Sequence, residues 1–370
     1  MARADINTVI IPEDKKIWVV HPGKNKKFFD DFEHSSRIYL EYPGLNVSTN
    51  SLQDDDLMRR KIRYALELAR HGGLTRADGT PISLEDFEGD ATTDVTVFLR
   101  TVRHLFENMQ AGDLVISPGW GPYSRVLFGE LTQNVNFAQQ ARIGPHYFID
   151  TQYRSVKWLA VDRHKQELPD YLRRYITKPP AIAEVARGDA ADEFFDFAYN
   201  AYVKDGLSWS SIEAPHYNSD DPSAISDPTR LIELAIAAFR AMEGGYDLGH
   251  LTLDEIIRKY YSKEDIEYFG LSFRSPGRLD FKSRNTQLSL FVSLVIALGA
   301  AGALSGCKDA GAPIELTNSQ AARDGVTPQL ESQINSFVQH MDGSSLSEVE
   351  ELAKSSEKKT GISTVVRVQP

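Results

Sequence analysis

The hydrophobic pattern of the chain changes character about halfway along. Between residues 17 and 47, apolar and polar positions alternate through two short runs, Ile17-Trp18-Val19-Val20 and Arg37-Ile38-Tyr39-Leu40-Glu41-Tyr42. A period of two in β-branched and aromatic residues predicts strands. The intervening FFDDFEHSS predicts a short helical or looped insert. From Asp54 to Ala69 the period becomes helical, with three aspartates at the positive end of the helix dipole and Gly72-Gly73 to end it. A second helix is expected over Asp94 to Met109, with an apolar stripe through Val95, Phe98, Leu99, Val102, Leu105 and Phe106. After Gly112-Asp113 come three strand patterns, LVIS, VLFGEL and SVKWLAV. Gly129 interrupts the middle one, as happens where a barrel bends or another backbone comes close.

From Pro179-Pro180 the periodicity becomes helical. Residues 191–205, 228–243 and 252–270 are expected as helices, with Asp227-Pro228 as cap and first helical residue and Thr252-x-x-Glu255 as a capping box. Residues 287–306 carry no charge and match the length of a membrane span. Two readings stand: a transmembrane helix led by Arg274, Arg278, Lys282 and Arg284, with Gly302 and Gly306 as a GxxxG pair, or a buried core helix. Beyond 306 the chain is polar and Ser-rich, with a helix expected near 346–358 and a β-like end, STVVRV.

Composition narrows the classes. A net charge of −11 argues against a chain that coats nucleic acid with its whole surface, though not against a local basic groove. The single cysteine, Cys307, excludes a disulfide framework and a cysteine-based zinc site within one chain. The first residues hold no apolar stretch of signal-peptide length, so a cytoplasmic protein is expected, anchored to the inner membrane if residues 287–306 span it.

Several fragments, in order, carry a resemblance. They are Trp18-Val19-Val20, Asp30-Asp31-Phe32, Met109-Gln110-Ala111-Gly112-Asp113-Leu114-Val115, Gly129-Glu130-Leu131-Thr132 and Arg154-Ser155-Val156-Lys157-Trp158-Leu159. Their order and spacing over residues 15–175 resemble the PUA/EVE-like reader domains of Mrr-type restriction proteins and other prokaryotic defence proteins. The sequence departs from that pattern at Glu41-Tyr42, where the family has glycine-tryptophan, at His21-Pro22 in place of a basic residue, and in an insertion over 72–92. These departures fall on the pocket rather than on the fold. The resemblance implies an α+β fold: a PUA/EVE-like β-barrel with flanking helices over 13–178. After it are expected a mainly α-helical domain over 179–285, one long apolar helix over 286–306, and a polar region over 307–370.

What such a domain implies is recognition of DNA or a modified nucleotide, with an extruded base held by stacking and by hydrogen bonds to its edge. Trp18, Tyr42, Trp120, Tyr123 and Trp158 are the stacking candidates; Arg125, Arg142, Arg154 and Lys157 are the phosphate candidates. Each has a plainer reading. Trp18 and Trp158 lie inside strand patterns, as core residues do, and the cations fit a solvated face. Trp120 and Tyr123 differ, because SPGWGPYSR is a loop where packing makes few demands. Asp113 reads first as a turn cap.

A catalytic centre does not emerge. Downstream of residue 178 no acidic residue is followed by a Glu-x-Lys pair on a strand, the metal-holding pattern of Mrr-type nucleases. Phosphate-loop, HExxH and GxSxG motifs are absent from the sequence, and no cofactor is implied. The expectation is therefore a defence-type sensor that binds modified bases and signals through a helical region, with self-association through that region. The alternatives are a membrane effector gated by a nucleotide and a restriction-like nuclease with a diverged active site.

Overall fold

In the computed structural model, residues 2–89, 94–143, 149–177, 180–217, 222–272, 277–321 and 324–369 are described, the side chains of Asp189, Ala190, Pro222 and Ser223 excepted. The chain is mixed α+β and divides into two compact units, Asp14–Ala198 and a second made of Met1–Glu13 with Tyr199–Pro370.

In the Asp14–Ala198 unit a curled, half-barrel sheet runs in the order Arg37–Tyr39, Asp150–Trp158, Val126–Leu131, Leu114–Pro118, Ile17–Val20, Ile182–Glu184, with Gln140–Arg142 also paired to Asp150–Trp158. Ile17–Val20 and Leu114–Pro118 are parallel, in register Trp18 opposite Val115, and the other pairings are antiparallel. Alternation sends Trp18, Val20, Val115, Leu127, Leu131 and Val156 into one core, shared with Met58, Ile62 and Ala65 of the helix Asp55–His71 and with Leu99, Val102 and Leu105 of the next. Asp54 caps Asp55–His71 by accepting from the Leu57 amide at 2.9 Å, and Gly72, at φ +69°, ends it. The second expected helix is α-helical over Thr96–Arg103 and finishes in a π turn over His104–Asn108.

The break expected at Pro179-Pro180 falls within this unit. Ile182–Glu184 pairs antiparallel with Ile17–Val20 and closes that edge of the sheet, and the helix Asp189–Ala198 follows. Pro179 itself lies outside the described residues.

The second unit corrects two expectations. Its helices are accompanied by a sheet that the helical domain expected over 179–285 did not include: five strands run Ile266–Ser272, Gly277–Ser283, Leu207–Ala214, Ala201–Lys204, Val9–Ile10. The helix expected over 191–205 stops at Ala198, because Asp205 (φ +48°) and Gly206 (φ +83°) make a left-handed turn that folds Ala201–Lys204 onto Leu207–Ala214 as a hairpin. The helix expected over 252–270 ends at Tyr260, after a capping box in which Thr252 Oγ1 and Glu255 serve each other's backbone amides. A smaller sheet places Arg3–Asp5 between Glu315–Thr317 and Arg367–Gln369.

The second correction concerns residues 287–306, which do not form one long apolar helix. Leu288–Ala300 and Ala303–Ala310 are separate helices bent 83° apart, and no single described helix is long and apolar enough to cross a membrane. Gly302, at φ +66°, sits in the break, so it shares no helix face with Gly306. The helix Leu288–Ala300 is buried nearly all round, packed on Phe239, Phe281, Phe337, Val349 and Ala353. Gly299 is small because the Cβ of Ala353 lies 2.9 Å from where its own would be. An all-round apolar helix is what the centre of a core requires as much as what a bilayer does. Arg274, one of the residues expected to flank a span, lies outside the described residues.

Candidate functional site

The residues that carry the resemblance serve mainly to hold the half-barrel together. Trp18 is fully buried; its indole N–H donates to Asp113 Oδ2 at 2.8 Å, leaving no face for a base. Asp113 also accepts from the Gln110 amide at 2.8 Å and the Lys16 amide at 3.3 Å, tying the turn after the second helix to the first strand. Gly112, at φ +87°, makes that turn.

Arg154 is 1 % exposed and donates to the carbonyls of Leu105 (2.7 Å), Met109 (3.2 Å) and Gln133 (2.9 Å). Burial lowers its pKa to about 10, an effect that Asp113 partly offsets, and so buried a guanidinium cannot reach a phosphate. Tyr42 is also buried, edge-on to Phe98, and burial, with Glu41 adding to it, raises its phenol well above the usual range. Burial thus corrects the sequence expectation for Trp18, Tyr42 and Arg154: all three side chains lie inside the core, where neither a base nor a phosphate reaches them.

Trp158 is half-buried. Its ring crosses the strand at Gly129, where a Cβ would lie 2.5 Å from Trp158 Cε3, and its N–H donates to the Phe32 carbonyl at 2.6 Å. Lys157 is exposed and, by strand alternation, points to the opposite side of the sheet from Trp158. Arg142 is exposed, 3.7 Å from Asp150. Arg125 is held by Glu33 and Asp162, whose hydrogen bonds keep its pKa raised in spite of the desolvation that opposes them. It fastens the start of Val126–Leu131 to the helix Phe29–Ser35.

Trp120 and Tyr123 stand apart from all of these. They are 68 % and 74 % exposed, on the loop between Leu114–Pro118 and Val126–Leu131. The loop backbone is nonetheless fixed. Gly119 donates to the Arg125 carbonyl at 2.9 Å, Ser124 Oγ to the Gly121 carbonyl at 2.9 Å, and Gly121 takes φ +85°. Lys165 Nζ braces it from the side, donating to the carbonyls of Gly119 (2.5 Å) and Gly121 (3.0 Å), one on either side of Trp120. His164 Nδ1 lies 3.0 Å from the Tyr123 carbonyl. At the foot of the loop the Ser117 hydroxyl is fully buried and has no hydrogen-bond partner among the described residues.

Sequence reasoning missed Lys165, Lys26 and Ser117. Lys26 lies in the loop after Ile17–Val20, and its ammonium donates to His21 Nδ1. A signal was present in the lysines of HPGKNKK, but nothing in a linear pattern brings residue 26 near residue 165. Among the described residues no group of three or more His, Cys, Asp or Glu side chains is placed to hold a metal ion. No protein-family model, no curated protein and no solved structure matches the chain.

Proposed function

We propose that the Asp14–Ala198 unit is a PUA/EVE-like reader that stacks a nucleobase, modified or extruded from a strand, on the loop carrying Trp120 and Tyr123. The observation that carries this reading is the exposure of two large aromatic rings on a loop whose backbone is braced by Lys165 and His164. Two large aromatic side chains close together on a fixed loop contribute nothing to the core and offer an apolar surface that a partner can cover. A π-face is available to any base, and stacking is worth about 1–3 kcal/mol per base. The second unit would carry the response, and the resemblance suggests defence against foreign nucleic acid as the setting.

The test is binding of the full chain to short single-stranded and modified-base oligonucleotides, by fluorescence anisotropy. Trp120→Ala and Tyr123→Ala should each weaken binding by about 1–3 kcal/mol and leave the thermal midpoint unchanged. Unaltered affinity in both variants would sink the reading.

A further inference from the structure

We propose that Lys26 and Lys165 form an anion subsite that takes a phosphate group of the nucleotide whose base stacks on Trp120 or Tyr123. This rests on the reading of that loop as a base platform and adds where the backbone is held. Because Ile17–Val20 and Leu114–Pro118 run parallel and in register, their following loops leave the sheet at the same end. The first loop carries Lys26, and the second carries the two aromatic rings and is braced by Lys165.

The two lysines are half-buried and close enough for the charge of one to act on the other. Neither forms an ion pair among the described residues, whereas their cationic neighbours do: Lys27 with Glu41, Arg37 with Asp31, Arg125 with Glu33 and Asp162. Burial first, then Lys165, brings the Lys26 pKa down to about 8. Burial lowers the Lys165 pKa as well. The backbone beneath Lys26 is also constrained, with Gly23, Asn25 and Lys26 at φ +70°, +57° and +58°. Left-handed conformation at two consecutive residues that are not glycine persists only where the surroundings enforce it, and such sites gather at ligand clamps. Two like charges held near each other with no acidic partner among the described residues suit a compact anion, and beside an aromatic platform that anion is a phosphate. Two of the four phosphate candidates read from the sequence do not compete: Arg154 is inside the core and Arg125 is neutralised by two carboxylates.

The experiment titrates the full chain with a short single-stranded oligonucleotide over a range of salt concentrations, and measures its thermal midpoint with inorganic pyrophosphate. Lys26→Gln is the main variant, because Lys165 also supports the loop, and circular dichroism checks that it folds. We expect Lys26→Gln to weaken oligonucleotide binding about tenfold and to reduce the salt slope by about 0.7, the share of one phosphate on a single strand. Lys26→Arg should restore both, and Trp120→Ala should weaken binding without changing the slope. If Lys26→Gln changes neither affinity nor slope while Trp120→Ala still loses binding, the subsite is overturned and the base platform stands. If the wild-type chain binds no oligonucleotide, the base platform fails and pyrophosphate decides the subsite. A midpoint raised in wild type but not in Lys26→Gln upholds it, and no rise overturns it.

Discussion

The strands of the Asp14–Ala198 half-barrel and the loops at one of its ends use the same residue types to opposite purposes. Trp18 is sealed in the core with its N–H on Asp113, and Trp120 is 68 % exposed. Arg154 is a buried cation met by three carbonyls, with Asp113 favouring its charge; Lys26 is a half-buried cation whose neighbour Lys165 opposes its charge. Polar groups whose partners are supplied by the chain hold a fold. At the end where the loops converge, by contrast, Lys26 and Lys165 have neutral hydrogen-bond partners and no acidic one among the described residues, and the two aromatic rings are exposed.

The sharpest way to break this comparison is to treat a strand residue as if it were a loop residue. Arg154→Met should destabilise the unit by on the order of 3 kcal/mol, because it leaves the Leu105, Met109 and Gln133 carbonyls unpartnered inside the protein; chemical denaturation reads this directly. Gly129→Ala should cost about 1–3 kcal/mol, since the added Cβ meets Trp158 Cε3 and Val156 Cγ1 at 2.5 Å and the Lys157 carbonyl at 3.0 Å. Trp158 fluorescence should shift as its ring is pushed from the strand. On the loop, the Trp120 and Tyr123 variants should stay within about 0.5 kcal/mol of wild type in stability.

The smallest effect has the opposite sign. Below pH 8 Lys26 is protonated in the folded and unfolded chain alike, and the folded state bears the full cost of its charge. Between about 8 and 10.5 the unfolded chain keeps a proton that the folded one releases, so stability from this group rises with pH across that window. Lys26→Gln should therefore raise the thermal midpoint slightly at neutral pH and flatten the rise between pH 8 and 10.5. A bound anion, by favouring the charged form, should flatten it in the same way.

Much of the Asp14–Ala198 unit was legible from local pattern. The alternation at Ile17–Val20 and Val126–Leu131 and the caps of Asp55–His71 are properties of neighbouring residues, so a linear reading finds them. Thr252 and Glu255 are a further case, four residues that cap themselves. The Asp205-Gly206 turn was equally local and would have revealed the hairpin it makes. What no pattern of neighbours supplies is the partner of each side chain. Leu288–Ala300 has a composition that suits a bilayer or a core equally, and nothing in that composition names Phe239, Phe281 and Phe337 as the side chains gathered around it. Trp18 and Trp120 are the same letter, separated by which of them has an Asp113 to bond. Lys26 and Lys165 are 139 positions apart in the chain, and parallel pairing of two distant strands helps bring their charges within reach of each other. Secondary structure follows from contacts a few residues long, whereas burial, pairing and charge balance depend on segments that meet only when the chain has folded.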